Sequence, residues 1–190
     1  MKKLALVLIL VLCASVAQAQ WKLDNVGLYL DPAVMDSYCN VAAGEGIFHV
    51  YIVGTNMTSP TIKGIELKLS HDNALMANLT FPPGADFGNR EDEHTIAYYN
   101  PEPVLGDGSF IFAEYDILVS DAAAPTLGYI RNLYFHSLPD PIPAYLDGED
   151  LNLIKPLRNS TGDVVAPSID YPVLILNGDC AVVPNEDATW

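Results

Sequence analysis

Residues 64–81 read GIELKLSHDNALMANLTF, and this stretch carries the clearest structural signal in the chain. In its first half, apolar side chains alternate with polar ones, Ile65, Leu67 and Leu69 against Glu66, Lys68 and Ser70. A period of two residues is typical of a β-strand with one buried face. The polar segment SHDN then interrupts the pattern, and a second apolar segment follows. The stretch therefore predicts two strands joined by a tight turn.

The same type of pattern recurs along the chain, whereas a sustained helical period is rare. Strands are predicted near residues 26–30, 48–54, 65–70, 75–81, 95–99, 110–119, 127–136, 164–166 and 173–176. Clusters of Pro, Gly, Asn and Asp separate these segments, and the chain contains 14 prolines. About nine short strands with regular turn signals predict an all-β fold, a single β-sandwich of jelly-roll or immunoglobulin-like type.

Two of the predicted strands also indicate which side chains should face the core. In residues 110–119 the alternation places Ala113, Tyr115, Ile117 and Val119 inward. In residues 127–136 it predicts one face made of Leu127, Tyr129, Leu133 and Phe135. These are direct predictions of strand register, because a shift by one residue would turn every side chain to the other face.

The N-terminus predicts export. Residues 1–19 read MKKLALVLILVLCASVAQA, with a charged start, an unbroken apolar run over residues 4–12 and small residues at Ala17 and Ala19. This pattern is typical of a secretory signal peptide that is cleaved after Ala19. The apolar run is too short to span a bilayer, which argues against a membrane anchor. We expect a secreted, extracellular protein with a domain over residues 20–183 and a short tail over residues 184–190.

Cysteine usage agrees with an oxidising compartment. Removal of the signal peptide would take Cys13 with it and leave Cys39 and Cys180. Disulfides persist in exported proteins, so we expect these two residues to form one bridge. The bridge would close a loop of about 140 residues, which the chain-entropy model values at about 5 kcal/mol at most. The alternative is two unrelated buried thiols.

The charge of the chain excludes two classes of partner. It has 24 acidic and 9 basic residues and a net charge of −15, which loss of Lys2 and Lys3 with the signal would lower by two units, to about −17. Such a surface repels nucleic acids and anionic membranes, so neither is expected as a partner. It also offers carboxylates to divalent cations.

Two acidic segments are candidate metal sites. The segment YLDGEDLN, residues 145–152, supplies oxygen donors that suit calcium, Asp147, Glu149, Asp150 and Asn152. The segment DFGNREDEH, residues 86–94, contains Glu91, Glu93 and His94, a mixed set that suits a transition metal. In both segments the alternative is a charged turn that is simply solvated.

Catalytic motifs are missing from the sequence. There is no GxSxG nucleophile elbow, no HExxH and no glycine-rich phosphate loop. With 24 acidic residues, close carboxylate pairs of the kind that glycosidases use are inevitable, so they carry little information. The sequence therefore favours a protein that is not an enzyme.

Several segments of the chain resemble those of a known family. Residues 64–81 resemble the early core strands of cohesin-type sandwiches and related bacterial carbohydrate-binding folds. The opening VGLYLDP, the single cysteine pair and the ending EDATW are similar to small secreted bacterial sandwich proteins. The resemblance implies a cohesin-like β-sandwich. The chain departs from cellulosomal cohesins in its expected disulfide, and fold alone does not transfer their dockerin binding.

The function predicted from these observations is a non-catalytic, secreted structural or interaction module. One form of it self-assembles into a surface layer or filament, through sandwich edges or through a tail added as an extra strand. In that form Trp190 would contact the partner. The alternative is a disordered end, or a chain that is cut short. Two alternatives stay open, a carbohydrate-binding module, with or without calcium, and a polysaccharide hydrolase.

Overall fold

The computed structural model describes residues 23–88, 90–161, 164–166 and 168–180. The predicted signal peptide, residues 1–19, and the predicted tail with Trp190 lie outside these residues. Residues 20–22 and 181–183, the two ends of the predicted domain, also lie outside them. In the described part of the chain, no helix has the length and apolar character needed to cross a membrane.

The described residues contain fourteen β-strands and one short 3₁₀ helix, Met35–Tyr38. The strands are β1 (Asn25–Tyr29), β2 (Cys39–Asn40), β3 (Gly46–Thr55), β4 (Thr61–Asp72), β5 (Ala74–Thr80), β6 (Gly84–Asp86), β7 (Glu93–Pro103), β8 (Phe110–Val119), β9 (Thr126–Arg131), β10 (Ala144–Asp147), β11 (Ile154–Pro156), β12 (Arg158–Thr161), β13 (Val164–Val165) and β14 (Leu174–Leu176). The predicted all-β class is confirmed.

The strands form two sheets that pack face to face. Sheet 1 has the order β13-β12-β1-β3-β8-β5. Sheet 2 has the order β11-β10-β4-β9-β14-β2. Strand β7 is a third partner of β4, and β6 pairs with β7. The buried apolar side chains of both sheets form one cluster between them, so the fold is the predicted β-sandwich.

The stretch GIELKLSHDNALMANLTF connects the two sheets. Its first strand, β4, lies in sheet 2 and buries Ile65, Leu67 and Leu69 as predicted, while its second strand, β5, is the edge of sheet 1. Asn73 makes the turn between them in the left-handed conformation, with φ of 60°, and its side chain donates to the carbonyl of Pro125 at 2.7 Å. Asparagine tolerates this conformation better than most residues, which explains its place at the crossing.

Strand β8 confirms the predicted register. Ala113, Tyr115, Ile117 and Val119 are all buried in the core. The two sheets are also joined by a hydrogen bond, because the hydroxyl of Tyr98 in β7 donates to the carbonyl of Phe112 in β8 at 2.9 Å. Burial raises the pKa of Tyr98, which keeps the phenol protonated and able to donate.

The predicted face of residues 127–136 is right only in part, because Tyr129 and Leu133 are buried while Phe135 is 76% exposed. Strand β9 ends at Arg131, and Ile130 faces the core beside Leu69, whereas Tyr129 pairs with Ser70 on the outer face. The physical reason is close packing at Gly128, where a Cβ atom would lie 2.9 Å from the Cβ of Leu174. Only a small residue fits at that inner position of β9. The alternation of apolar residues therefore did not identify the buried face of the strand.

The structure contains the predicted disulfide. Cys39 in β2 is bonded to Cys180, and their Cα atoms are 5.8 Å apart. Strand β2 pairs with β14 in parallel at the edge of sheet 2, and the bridge holds the chain beyond β14 against it. The bond therefore ties the start of the described domain to its end, over a sequence separation of 141.

Candidate functional site

Three exposed aliphatic side chains form a row across the outer face of sheet 1. Ile47 in β3 is directly opposite Leu118 in β8, which is directly opposite Leu75 in β5. Their exposed fractions are 72%, 44% and 71% for Ile47, Leu118 and Leu75 respectively. We call these three residues the aliphatic row.

The row faces solvent because its neighbours along each strand face the core. Phe48 packs against the core from β3, Ile117 is fully buried in β8, and Met76 packs against the core from β5. Successive side chains of a strand point to opposite faces, so the residues beside these three must point outward. Contiguous exposed apolar side chains of this kind are candidates for contact with a partner.

A histidine and two carboxylates lie next to the aliphatic row on the same face. His49 Nδ1 is 2.8 Å from Asp116 Oδ1, and His49 Nε2 is 3.4 Å from Glu114 Oε2. Asn78 and Thr80 of β5 donate to Asp116 and Glu114 at 2.8 and 3.2 Å. The hydrogen bond to Asp116 raises the pKa of His49 above its usual value. We call His49, Glu114 and Asp116 the carboxylate row; it places an acidic rim beside an apolar strip.

A second exposed surface lies over the outer face of sheet 2, on the loop formed by residues 132–138. Tyr134 and Phe135 are 66% and 76% exposed, and their ring centroids are 4.7 Å apart at an angle of 89°. The guanidinium carbon of Arg90 lies 5.2 Å from the centre of the Tyr134 ring. We call Arg90, Tyr134 and Phe135 the aromatic knob.

Two buried glutamates hold this loop in place. Glu93 Oε1 accepts the backbone N–H of Tyr134 at 3.2 Å. Glu66 accepts both the backbone N–H of Ser137, at 2.8 Å, and its hydroxyl, at 2.6 Å. Leu133 is buried below the loop and anchors it further. These hydrogen bonds and the buried leucine fix the conformation of the loop that carries the aromatic knob.

A polar network links β10 and β11 to the segment that precedes β4. Lys155 Nζ lies 2.7 Å from Ser59 Oγ and 3.1 Å from Asp147 Oδ2, and the hydroxyl of Tyr145 donates to Asp24 at 2.7 Å. A serine beside a lysine is an arrangement found in some nucleophilic enzymes. Here Ser59 is only 1% exposed and donates to Asp147, so the arrangement serves to join these segments.

The predicted calcium loop takes part in this network. Burial disfavours the charge of Asp147, but hydrogen bonds from Ser59 and from the backbone of Glu149 and Asp150 outweigh it and lower the pKa of Asp147. Asp150 Oδ1 accepts the backbone N–H of Asn152 at 3.0 Å. A calcium ion would have to compete for Asp147 with partners that the fold already supplies. Calcium at this loop stays a prediction.

The second acidic segment is divided between two tasks. Glu93 binds the loop that carries the aromatic knob, while His94 Nδ1 is 2.7 Å from Asp86. Among the residues that the structure describes, no group of three or more His, Cys, Asp or Glu side chains is placed to hold a metal ion. A transition metal at Glu91, Glu93 and His94 likewise stays a prediction.

Sequence reasoning missed both exposed surfaces. One signal was present, because Leu118 falls on the same side of β8 as Glu114 and Asp116, where a polar residue is expected. The row itself needs the pairing of β3, β8 and β5, which are distant in sequence. The predicted contact residue Trp190 lies outside the described residues.

No protein-family model and no curated protein matches the chain. Among solved structures, it is similar to a type II cohesin domain from the cellulosome of Acetivibrio cellulolyticus, at 13% identity over 82% of this chain and 95% of that one, with a TM-score of 0.48. It is also similar to the sixth cohesin of scaffoldin B from the same organism, solved with a Cel5 dockerin mutant, at 8% identity over 82% and 98% of the two chains, with a TM-score of 0.45. At these identities and TM-scores the likeness supports no statement about the function or the partners of this chain.

Proposed function

We propose that the protein is a non-catalytic, exported interaction module that binds another protein through the outer face of β3, β8 and β5. The observation that carries this proposal is the aliphatic row, three large apolar side chains aligned across three neighbouring strands. The carboxylate row lies beside it. An apolar centre with a polar rim is the usual anatomy of a protein–protein interface.

The row offers enough apolar surface to matter for binding. Complete burial of one Leu or Ile side chain is worth about 1.5–3 kcal/mol relative to full exposure. Ile47 and Leu75 retain most of their exposure, so a partner that covers them gains most of this amount at each. Because the row lies on a regular sheet, it does not need to be ordered on binding.

The aromatic knob suits a protein partner better than a sugar. Rings that stack on a sugar present a free face, but Arg90 lies over one face of Tyr134, and the ring of Phe135 stands at 89° to that of Tyr134. A carbohydrate-binding module usually offers its aromatic rings as one platform. The hydrolase alternative has no comparable support, since Glu114 and Asp116, adjacent carboxylates of this face, are bound to His49.

Photo-cross-linking at the row tests this function. The variant Leu75→benzoylphenylalanine would be added to the secreted proteins of the native source and irradiated, and the adducts would be identified by mass spectrometry. Leu105 is a matched control, because it is another exposed leucine, at 58%, in the loop before β8 and outside the row. We expect protein adducts from position 75 and not from position 105. Equal labelling at both positions, or none at either, would contradict the proposal.

A further inference from the structure

We infer that the partner of the aliphatic row is a second copy of this chain, which contributes its aromatic knob, so that copies join face to back in an open series. This inference rests on the proposed function, because it names the partner of the same surface.

The two surfaces lie on opposite faces of one sandwich. The aliphatic row is on the outer face of sheet 1, since Phe48 and Ile117 beside it pack into the core. The loop of the knob is bound by Glu66 and Glu93, whose neighbours Ile65 and His94 face inward in sheet 2 and which therefore point outward. A copy that binds through its row on one side thus leaves its knob available on the other.

The two surfaces are also complementary in chemistry. The knob presents two exposed aromatic rings and the cation of Arg90. The Arg90 side chain is 56% exposed, although its Nη1 lies 3.7 Å from Glu93 Oε1 of the same copy. The opposite face presents aliphatic side chains beside Glu114 and Asp116. The rings suit the aliphatic row, and the guanidinium suits the carboxylates at its rim. In a chain with 9 basic and 24 acidic residues, a cation beside the exposed rings is what makes contact with an acidic face favourable.

A symmetric contact of row with row is less favourable. It would bring Glu114 and Asp116 of two acidic copies together, and on each copy the cation that faces these carboxylates is His49, which is charged only when protonated. Like charges that meet across an interface oppose association. A contact between two different surfaces avoids this repulsion, and when its geometry does not close into a ring it generates an open series of copies.

The test uses two variants of the mature chain, each of which blocks one surface. Leu75→Lys blocks the row with a charge that repels Arg90, and Phe135→Asp blocks the knob with a charge that repels the carboxylate row. Both side chains are exposed, so both variants should keep the melting temperature of the wild type within about 2 °C. Leu105→Lys is the matched control for the added charge.

Sedimentation velocity then separates the possibilities. We expect the wild type and Leu105→Lys to form larger species as concentration rises, and each blocking variant to stay monomeric alone. An equimolar mixture of Leu75→Lys and Phe135→Asp should form a one-to-one dimer and nothing larger, because one variant retains a knob and the other a row.

A mixture that stays monomeric would overturn the inference, as would a wild type that is monomeric at every concentration. If the wild type is monomeric while position 75 cross-links to a different protein, the inference fails and the proposed function stands. If position 75 gives no specific adduct at all, the proposed function fails with it.

Discussion

Removal of the Cys39–Cys180 bridge should destabilise the protein mainly through its unfolded state. The perturbation is the double substitution Cys39→Ser with Cys180→Ser, which deletes the bond without leaving a single free thiol. In the chain-entropy model, a cross-link over a sequence separation of 141 lowers the entropy of the unfolded chain by an amount worth about 5 kcal/mol at 25 °C. Native disulfides typically contribute about 2–5 kcal/mol, so we expect a loss within that range.

The structure indicates where the native state should also change. Strand β2 has only two residues, and it pairs with β14 at the edge of sheet 2. Without the covalent bond, little apolar burial holds this edge, because Cys39 is half-buried and Asn40 is exposed. We therefore expect faster amide exchange in β2 and in residues 177–180, while the core strands β4 and β8 keep their protection.

Guanidinium unfolding, followed by tyrosine fluorescence and circular dichroism, measures the loss of stability, and hydrogen exchange measures the local change. The double variant should have a lower midpoint and a steeper dependence on denaturant, since an unfolded chain without the cross-link exposes more surface. Reduced wild type should match the double variant. Oxidised and reduced wild type with the same midpoint would refute the reasoning, because they would show that the bridge does not constrain the unfolded chain.

Three further predictions concern export, acid stability and calcium. N-terminal sequencing of the exported protein should begin at Gln20, and a mature chain that retains residues 1–19 would contradict the predicted cleavage. Burial lowers the pKa of His71 to about 4, so stability should be complete above about pH 6.5 and fall by at most about 3 kcal/mol as the pH drops from 6.5 through 4; His71→Gln should flatten this part of the pH profile of unfolding. If calcium binds residues 147–152, it should raise the melting temperature of the wild type, and Glu149→Gln with Asp150→Asn, which leaves the structural Asp147 in place, should remove the rise.

The sequence predicted the strands that are long enough to show a period. Strands β4 and β8 have 12 and 10 residues, and their alternation correctly identified the buried side chains. Strands β2, β6, β10, β11 and β12 have two to four residues and were not predicted, because so few positions do not define a period. The equally short β13 and β14 were predicted, near residues 164–166 and 173–176. In β9 the inner position at Gly128 is decided by close packing, which apolarity does not reveal.

The candidate surfaces were beyond sequence reasoning for a different reason. Clusters of neighbouring residues such as 147–152 are easy to find, yet the structure uses Asp147 to join strands. The aliphatic row instead gathers Ile47, Leu75 and Leu118, whose proximity depends on the order of strands in sheet 1. No local sequence pattern predicts strand order, because it depends on pairing between segments that are distant in sequence.

The edges of the described sheets favour association through faces over the addition of an extra strand. Strand β5 is the longest edge, with seven residues, but its pairing with β8 shifts register between Ala77 and Thr80, where Asn78 takes the left-handed conformation with φ of 56°. Such a bulge twists an edge away from a regular ladder and hinders the addition of a strand. The opposite edge of sheet 1, β13, has two residues. At the edges of sheet 2, β6 and β11 have three residues each, and β2 has two and is tied by the disulfide. A partner that lies flat on the outer face of β3, β8 and β5 meets none of these obstacles, and it covers the aliphatic side chains that an added strand would leave in water.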